Sequence, residues 1–113
     1  MKAEQLKGHL ELMLLAIVAG GPKHGYAIIE ELRERSGGAF DLPEGTVYPA
    51  LYRLEAGGLL ASGWSRVNGR RRRDYELSGP GREALRERES EWRAFARAVD
   101  SVITRRAPWT NPA

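Results

Sequence analysis

The 113-residue chain contains no cysteine. That excludes disulfides, thiolate nucleophiles and sulfur-ligated metal centres, and it fits a reducing compartment. Histidine is nearly as scarce, with only His9 and His24. A zinc site would need carboxylates at a ligand spacing that the chain does not offer, so neither metal nor cofactor is expected. Long apolar runs are missing as well. The most hydrophobic stretch, Leu10 to Ala19, is interrupted by Glu11 and falls well short of the ~20 residues that span a bilayer. Met1 to Gly8 does not read as a signal peptide, and the expected setting is cytoplasmic, with no membrane partner. Charge of one sign is not abundant either: 18 Lys and Arg against 15 Asp and Glu leave a net +3. The placement of the basic residues therefore matters more than their sum.

With 42% hydrophobic and 29% charged residues, the chain suits one globular domain or one protomer of a small oligomer. From Gln5 to Ala19, Leu6, Leu10, Met13, Leu14, Ile17 and Val18 recur at helical spacing. Leu12, Leu15 and Ala16 widen that stripe beyond the usual ~100°, which implies two buried surfaces, one on the domain's own core and one elsewhere. Gly20-Gly21-Pro22 ends this helix. A second helix is expected from Gly25 to Arg35, with Tyr26, Ile28, Ile29 and Leu32 inward; Ser36-Gly37-Gly38 stops it, and Phe40 follows as a core anchor. Pro43 opens a third helix that reaches Ala56, before Gly57-Gly58.

On a wheel at 100° per residue, Val47, Ala50, Leu51 and Leu54 of this third helix form a core side. Gly45, Pro49, Tyr52 and Ala56 lie opposite, flanked by Thr46, Tyr48 and Arg53. That outer face is small, aromatic and uncharged except for Arg53, unlike an ordinary solvated face. Pro49 removes a backbone hydrogen bond beyond the first turn, so either the regular helix starts later than Pro43 or it is kinked.

Leu59 to Val67 and Arg70 to Leu77 flank Asn68-Gly69, the strongest short hairpin signal, because a type I′ turn needs positive φ at both central residues. A two-residue loop sets Val67 opposite Arg70, Trp64 opposite Arg73, Ser62 opposite Tyr75 and Leu60 opposite Leu77. Leu60, Trp64, Tyr75 and Leu77 then share the inward face, while Arg70, Arg71, Arg72 and Arg73 crowd the distal end. Four like charges at the tip of a projecting arm weaken a fold unless an anion meets them. The expectation is that polyphosphate, rather than a group in the chain itself, does so.

Ser78 is placed to cap a last helix, with Pro80 in its first turn. Extending to about Arg106, it spans ~40 Å and carries Leu85, Trp92, Phe95, Ala96, Val99, Val102 and Ile103 on one side. The domain is too small to cover it, so packing on a second copy is expected, with the surplus surface of the first helix, at Leu10 and Leu14, as the other half of the contact. Residues 107–113 read as a flexible tail, in which Trp109 could dock. The expected architecture is mainly α with a small β-hairpin: a winged helix-turn-helix over residues 1–78, with the wing at about 60–77, and a dimerisation helix over 79–106.

Three segments, "LKGHLELMLLAIVAGGPKHGYAIIEELRE", "EGTVYPALYRLEAGGLL" and "GRRRRDYELSGPGREAL", resemble the PadR family of bacterial transcriptional regulators. The resemblance runs in order from Leu6 to about Leu85. It implies a homodimeric repressor in which the third helix reads operator DNA, the wing holds flanking backbone and the last helix builds the dimer. By position, Thr46, Tyr48 and Tyr52 match the recognition helix, and Arg70 to Arg73 match the wing. One departure stands out: Asp74-Tyr75 followed by Glu76 replaces the paired aromatics usual after the basic run, and two carboxylates there should weaken phosphate contact. In some relatives, aromatics near Trp92 line a dimer-interface pocket for planar ligands. Trp92 and Phe95 are accordingly either core knobs or part of a site for a small aromatic or cationic effector.

The site residues divide in the same way. Tyr48 is expected both to half-bury against the wing and to face DNA, whereas Thr46 and Tyr52 face a groove. Gly45 either admits the backbone close to DNA or simply opens the helix. Arg53 suits guanine or phosphate. His24 reads as a structural residue at the start of the second helix. No nucleophile–histidine–carboxylate set is positioned by the sequence, and "GPGREAL" lacks the ending of a phosphate loop, so no enzymatic activity is expected. The competing function is a winged-helix adaptor whose basic wing docks an acidic protein. RNA binding is weaker, since no exposed aromatic sheet platform is apparent.

Overall fold

The computed structural model describes Leu6, residues 8–105 and Trp109. The elements run α1 (Leu10–Val18), β1 (Lys23–His24), α2 (Gly25–Arg35), α3 (Glu44–Ala56), β2 (Leu60–Val67), β3 (Arg70–Leu77) and α4 (Gly79–Thr104). Three short helices, a hairpin and a long helix therefore follow one another as expected. The starting point Gln5, the helix end at Arg106 and the tail at 107–113 fall outside the described residues, apart from Trp109, which is exposed.

The short helices pack because their apolar stripes converge. Leu14, Leu15, Ile28, Val47, Ala50 and Leu51 are all completely buried, and Leu60, Tyr75 and Leu77 from the base of the hairpin close the same core. The four positions assigned to the inner side of α3 are all buried, and the helix runs unbroken through Pro49. α1 is apolar nearly all round because it is the central element. Leu10 and Leu14 are 5% and 0% exposed, which corrects their expected place on a dimer surface: the domain's own core uses them. The outward part of α1 is formed instead by Leu12, Met13 and Ala16. Tyr26 is a second correction. It is 57% exposed, since Ile28 and Leu32, with Ile29 beside them, already fill the inner side of α2.

The hairpin register is the expected one, with Leu60, Ser62, Trp64 and Val67 opposite Leu77, Tyr75, Arg73 and Arg70. Asn68 and Gly69 take φ of 51° and 76°, as a type I′ turn requires. A third strand joins this pair. β1 adds two residues antiparallel to β3, Lys23 to Tyr75 and His24 to Asp74, giving the order β1-β3-β2. Lys23 donates to the Ile17 carbonyl at the end of α1 and pairs with Glu31 of α2, so the short strand also ties two helices together.

Ser78 caps α4 by accepting from the Gly81 N–H at 3.0 Å. Gly81 lies directly against the Leu59 carbonyl, where any Cβ would collide, and the Ser78 N–H donates to the same carbonyl at 3.2 Å. From this root α4 extends for 26 residues, of which only Gly81 is buried. The radius of gyration, 18.1 Å, exceeds the ~13 Å of a compact chain of this length because α4 runs past the domain.

Candidate nucleic-acid interface

The outer side of α3 is a surface with little charge. Gly45, Pro49, Tyr52 and Arg53 are exposed, and Thr46 and Tyr48 are half-buried. Tyr48 does pack inward, but its partner is α2 and not the wing. Its ring covers Gly25 so closely that a Cβ there would lie 2.5 Å from Cε1. Gly25 of the first motif and Tyr48 of the second thus meet in space. Tyr48 and Tyr52 are 6.1 Å apart between ring centroids. Burial raises the Tyr48 phenol, with Glu44, Tyr52 and Tyr26 adding to the shift, so the hydroxyl stays protonated and able to donate at neutral pH. Tyr26, expected in the core, instead adds a third tyrosine to this side of the domain.

On the arm, Arg70, Arg71 and Arg73 are exposed and Arg72 is half-buried. The expectation that no group of the chain answers their charge is corrected for two of the four. Arg73 donates through Nη2 to both carboxylate oxygens of Glu55 on α3, at 3.0 and 2.9 Å, and through Nε to Ser62 at 2.8 Å. The Ser62 hydroxyl also donates to Glu55. That bond first, and Arg73 after it, hold the Glu55 carboxyl below its ordinary value against the opposing effect of burial. Arg72 donates to Asp74 at 3.1 Å, and Ser65 donates to the same carboxylate at 2.9 Å. Asp74, the departure noted in the sequence, thus takes up one wing arginine. Among the described residues Arg66, Arg70 and Arg71 have no carboxylate within ion-pair distance.

Trp64 is the other correction on the arm. It was expected inward, but it is 61% exposed, because the core ends at the Ser62–Tyr75 rung and the arm continues beyond it. Its indole lies under the Arg71 guanidinium at 4.4 Å and within 5.9 Å of that of Arg73.

The last helix carries the remaining site residues. Leu85 is half-buried against the core, whereas Trp92, Phe95, Val99 and Val102 are exposed along one helix. Trp92 meets His9 edge-on at 4.9 Å and lies 6.4 Å from Phe95. Leu6, His9, Leu12, Met13, Phe40 and these two aromatics line an apolar groove of about 450 Å³ between α1 and α4. Glu11 of α1 stands between Arg88 of α4, at 3.3 Å, and Arg53 of α3, at 3.9 Å, so one carboxylate touches both the long helix and the exposed face of α3. His24 begins α2 from the β1 strand, a structural position. Among the described residues no cluster of metal-ligating side chains occurs, and no helix is long and apolar enough to cross a membrane.

A three-helix domain with a hairpin wing beside an exposed third helix is the architecture of winged-helix transcriptional regulators. The description of the Transcriptional regulator PadR-like family matches residues 14–87, and the chain belongs to that family, which consists of regulators and not enzymes. It is 39% identical over 90 residues to Transcriptional regulator Rv3488 of Mycobacterium tuberculosis, covering 80% of this chain and 81% of the relative. A PadR family transcription regulator from Clostridium difficile shares the fold with a TM-score of 0.77 at 32% identity, over 85% of this chain and 99% of that one. A transcriptional regulator from Clostridium thermocellum, at 22% identity, matches in fold with a TM-score of 0.81, over 89% and 96% of the two chains.

Proposed function

We propose that the protein is a homodimeric repressor that binds a pseudo-palindromic operator in double-stranded DNA. The observation that carries this reading is the adjacency of two surfaces: the exposed face of α3 and the cationic arm, joined through Arg73 and Glu55. α3 suits a major groove, with Thr46 and Tyr52 toward thymine methyls or phosphates and Arg53 toward guanine or phosphate. Gly45 presents no side chain there, and the wing arginines hold flanking backbone. The second copy is supplied along α4, where Trp92, Phe95, Val99 and Val102 are 43%, 60%, 41% and 76% exposed in the single chain. Apolar surface in a continuous row on one helix needs a partner. Two α3 helices would then enter successive major grooves about 34–36 Å apart.

The groove beside Trp92 and Phe95 suits a small aromatic or cationic effector, and Glu11, in contact with both Arg88 and Arg53, offers a route from that groove to the reading helix. Quenching of tryptophan fluorescence by planar compounds, abolished in Trp92→Ala, is the expected response. Selection of bound DNA from a random pool tests the main reading. The expected product is an inverted repeat with centres one helical turn apart. A pool without enriched sequence would favour an adaptor whose basic wing docks an acidic partner.

A further inference from the structure

The two faces of the arm differ in chemistry, and strand alternation sorts them. Residues opposite one another across the β2–β3 ladder lie on the same face. Near the base, the face carrying Leu60, Tyr75 and Leu77 is core. Farther out the same face carries Trp64, Arg66, Arg71 and Arg73, and its contact with Glu55 of α3 fixes it on the side of the exposed helix. The opposite face carries Arg70 and Arg72 together with Asp74 and Glu76, and there Arg72 is bound to Asp74. The acidic residues of β3 therefore all lie away from α3.

Arg66 and Arg71 are direct cross-strand partners. Like charges in that position repel, with Cβ atoms about 5 Å apart, and an anion between or above the two side chains would relieve that repulsion. Among the described residues no carboxylate does so. The Arg71 guanidinium also lies over the Trp64 indole, 4.4 Å from its centroid, a cation–π contact that places its charge on this face. Arg73, by contrast, has Nε and Nη2 committed to Ser62 and Glu55.

We propose that Trp64, Arg66 and Arg71 form the DNA-contacting face of the wing, with the two guanidiniums sharing a backbone phosphate and the indole packed on the adjoining sugar. Arg73 is a positioning residue that sets the angle of the arm against α3, and Arg70 and Arg72 contribute little. This assignment rests on the DNA-binding reading above and narrows it from four consecutive arginines to one face, adding Arg66, which lies outside that run.

The test measures how the affinity of the full chain for a fluorescein-labelled duplex of random sequence depends on salt. Each phosphate contact contributes about −0.9 to the log–log slope. The double variant Arg66→Ala, Arg71→Ala should flatten the slope by about one unit, the loss of the one shared phosphate, while Arg70→Ala with Arg72→Ala leaves it near the wild-type value. Arg66→Lys with Arg71→Lys should keep the slope, which separates loss of charge from loss of fold. Trp64→Ala should weaken binding at unchanged slope, with Trp64→Phe restoring most of the loss. Equal or greater flattening by the Arg70 and Arg72 pair overturns the assignment of the face. Undiminished binding by Trp64→Ala removes the indole from it. A wild-type chain that ignores duplex DNA overturns the DNA-binding reading and this assignment together.

Discussion

The domain and its last helix are built from the same kinds of residue but finished to different degrees. In the domain, leucines and isoleucines from α1, α2 and α3 reach zero exposure, and a tyrosine from the hairpin is sealed among them at 1%. In α4, the aromatic and aliphatic row from Trp92 to Ile103 faces outward along its whole length. The difference separates the apolar surface that one chain buries by itself from the surface that it leaves exposed. Most helical stability in proteins comes from packing an apolar face, and this uncovered row is the surface that the proposed second copy would cover.

Four changes would break or sharpen that contrast. The largest effect is expected for Leu51→Ala, which opens a cavity at a fully buried site and should cost about 2–5 kcal/mol, read as a large drop in the thermal midpoint. Next is Gly25→Ala. Its new methyl group would overlap the Tyr48 ring, and overpacking of this kind costs roughly 1–3 kcal/mol. Adding Tyr48→Ala should recover part of that loss in a denaturant melt, and no recovery would mean that the strain lies elsewhere. Val99→Asp should affect the domain core less. Sedimentation is expected to show a monomer, and the melting midpoint should lose its dependence on protein concentration.

The smallest effect is expected at Glu55. Its carboxyl is held below the ordinary value of 4.5, first by Ser62 and then by Arg73, so folding favours its ionised form. The stabilisation is therefore present above the ordinary value and is lost as the pH falls through the lowered, folded-state value. Glu55→Gln should show a shallower acid limb in midpoint against pH, with little difference from wild type near neutrality.

The hairpin was legible from the sequence because two residues, Asn68 and Gly69, fix turn type and register together. The face of α3 was legible because four apolar residues at helical spacing leave only one possible inner side. Trp64 and Tyr26 were misplaced for a shared reason: periodicity tells which side of an element a residue occupies but not where the core ends along it. Leu10 and Leu14 erred in the opposite sense, since a helix apolar all round gives no clue to which stripe the domain itself consumes. β1 has only two residues and thus no period to detect. The pairing of Arg73 with Glu55 joins residues 18 positions apart, a contact that appears only once the arm has folded back on α3. Arg66 could have been found beforehand, since the same register that set Trp64 opposite Arg73 also sets Arg66 opposite Arg71.

The meeting of Gly81 with the Leu59 carbonyl has one more consequence. The junction between arm and long helix is made of main chain pressed on main chain, with Ser78 bonded both to the Leu59 carbonyl and to the Gly81 N–H. The angle between them is set where a side chain at position 81 would collide with the Leu59 carbonyl.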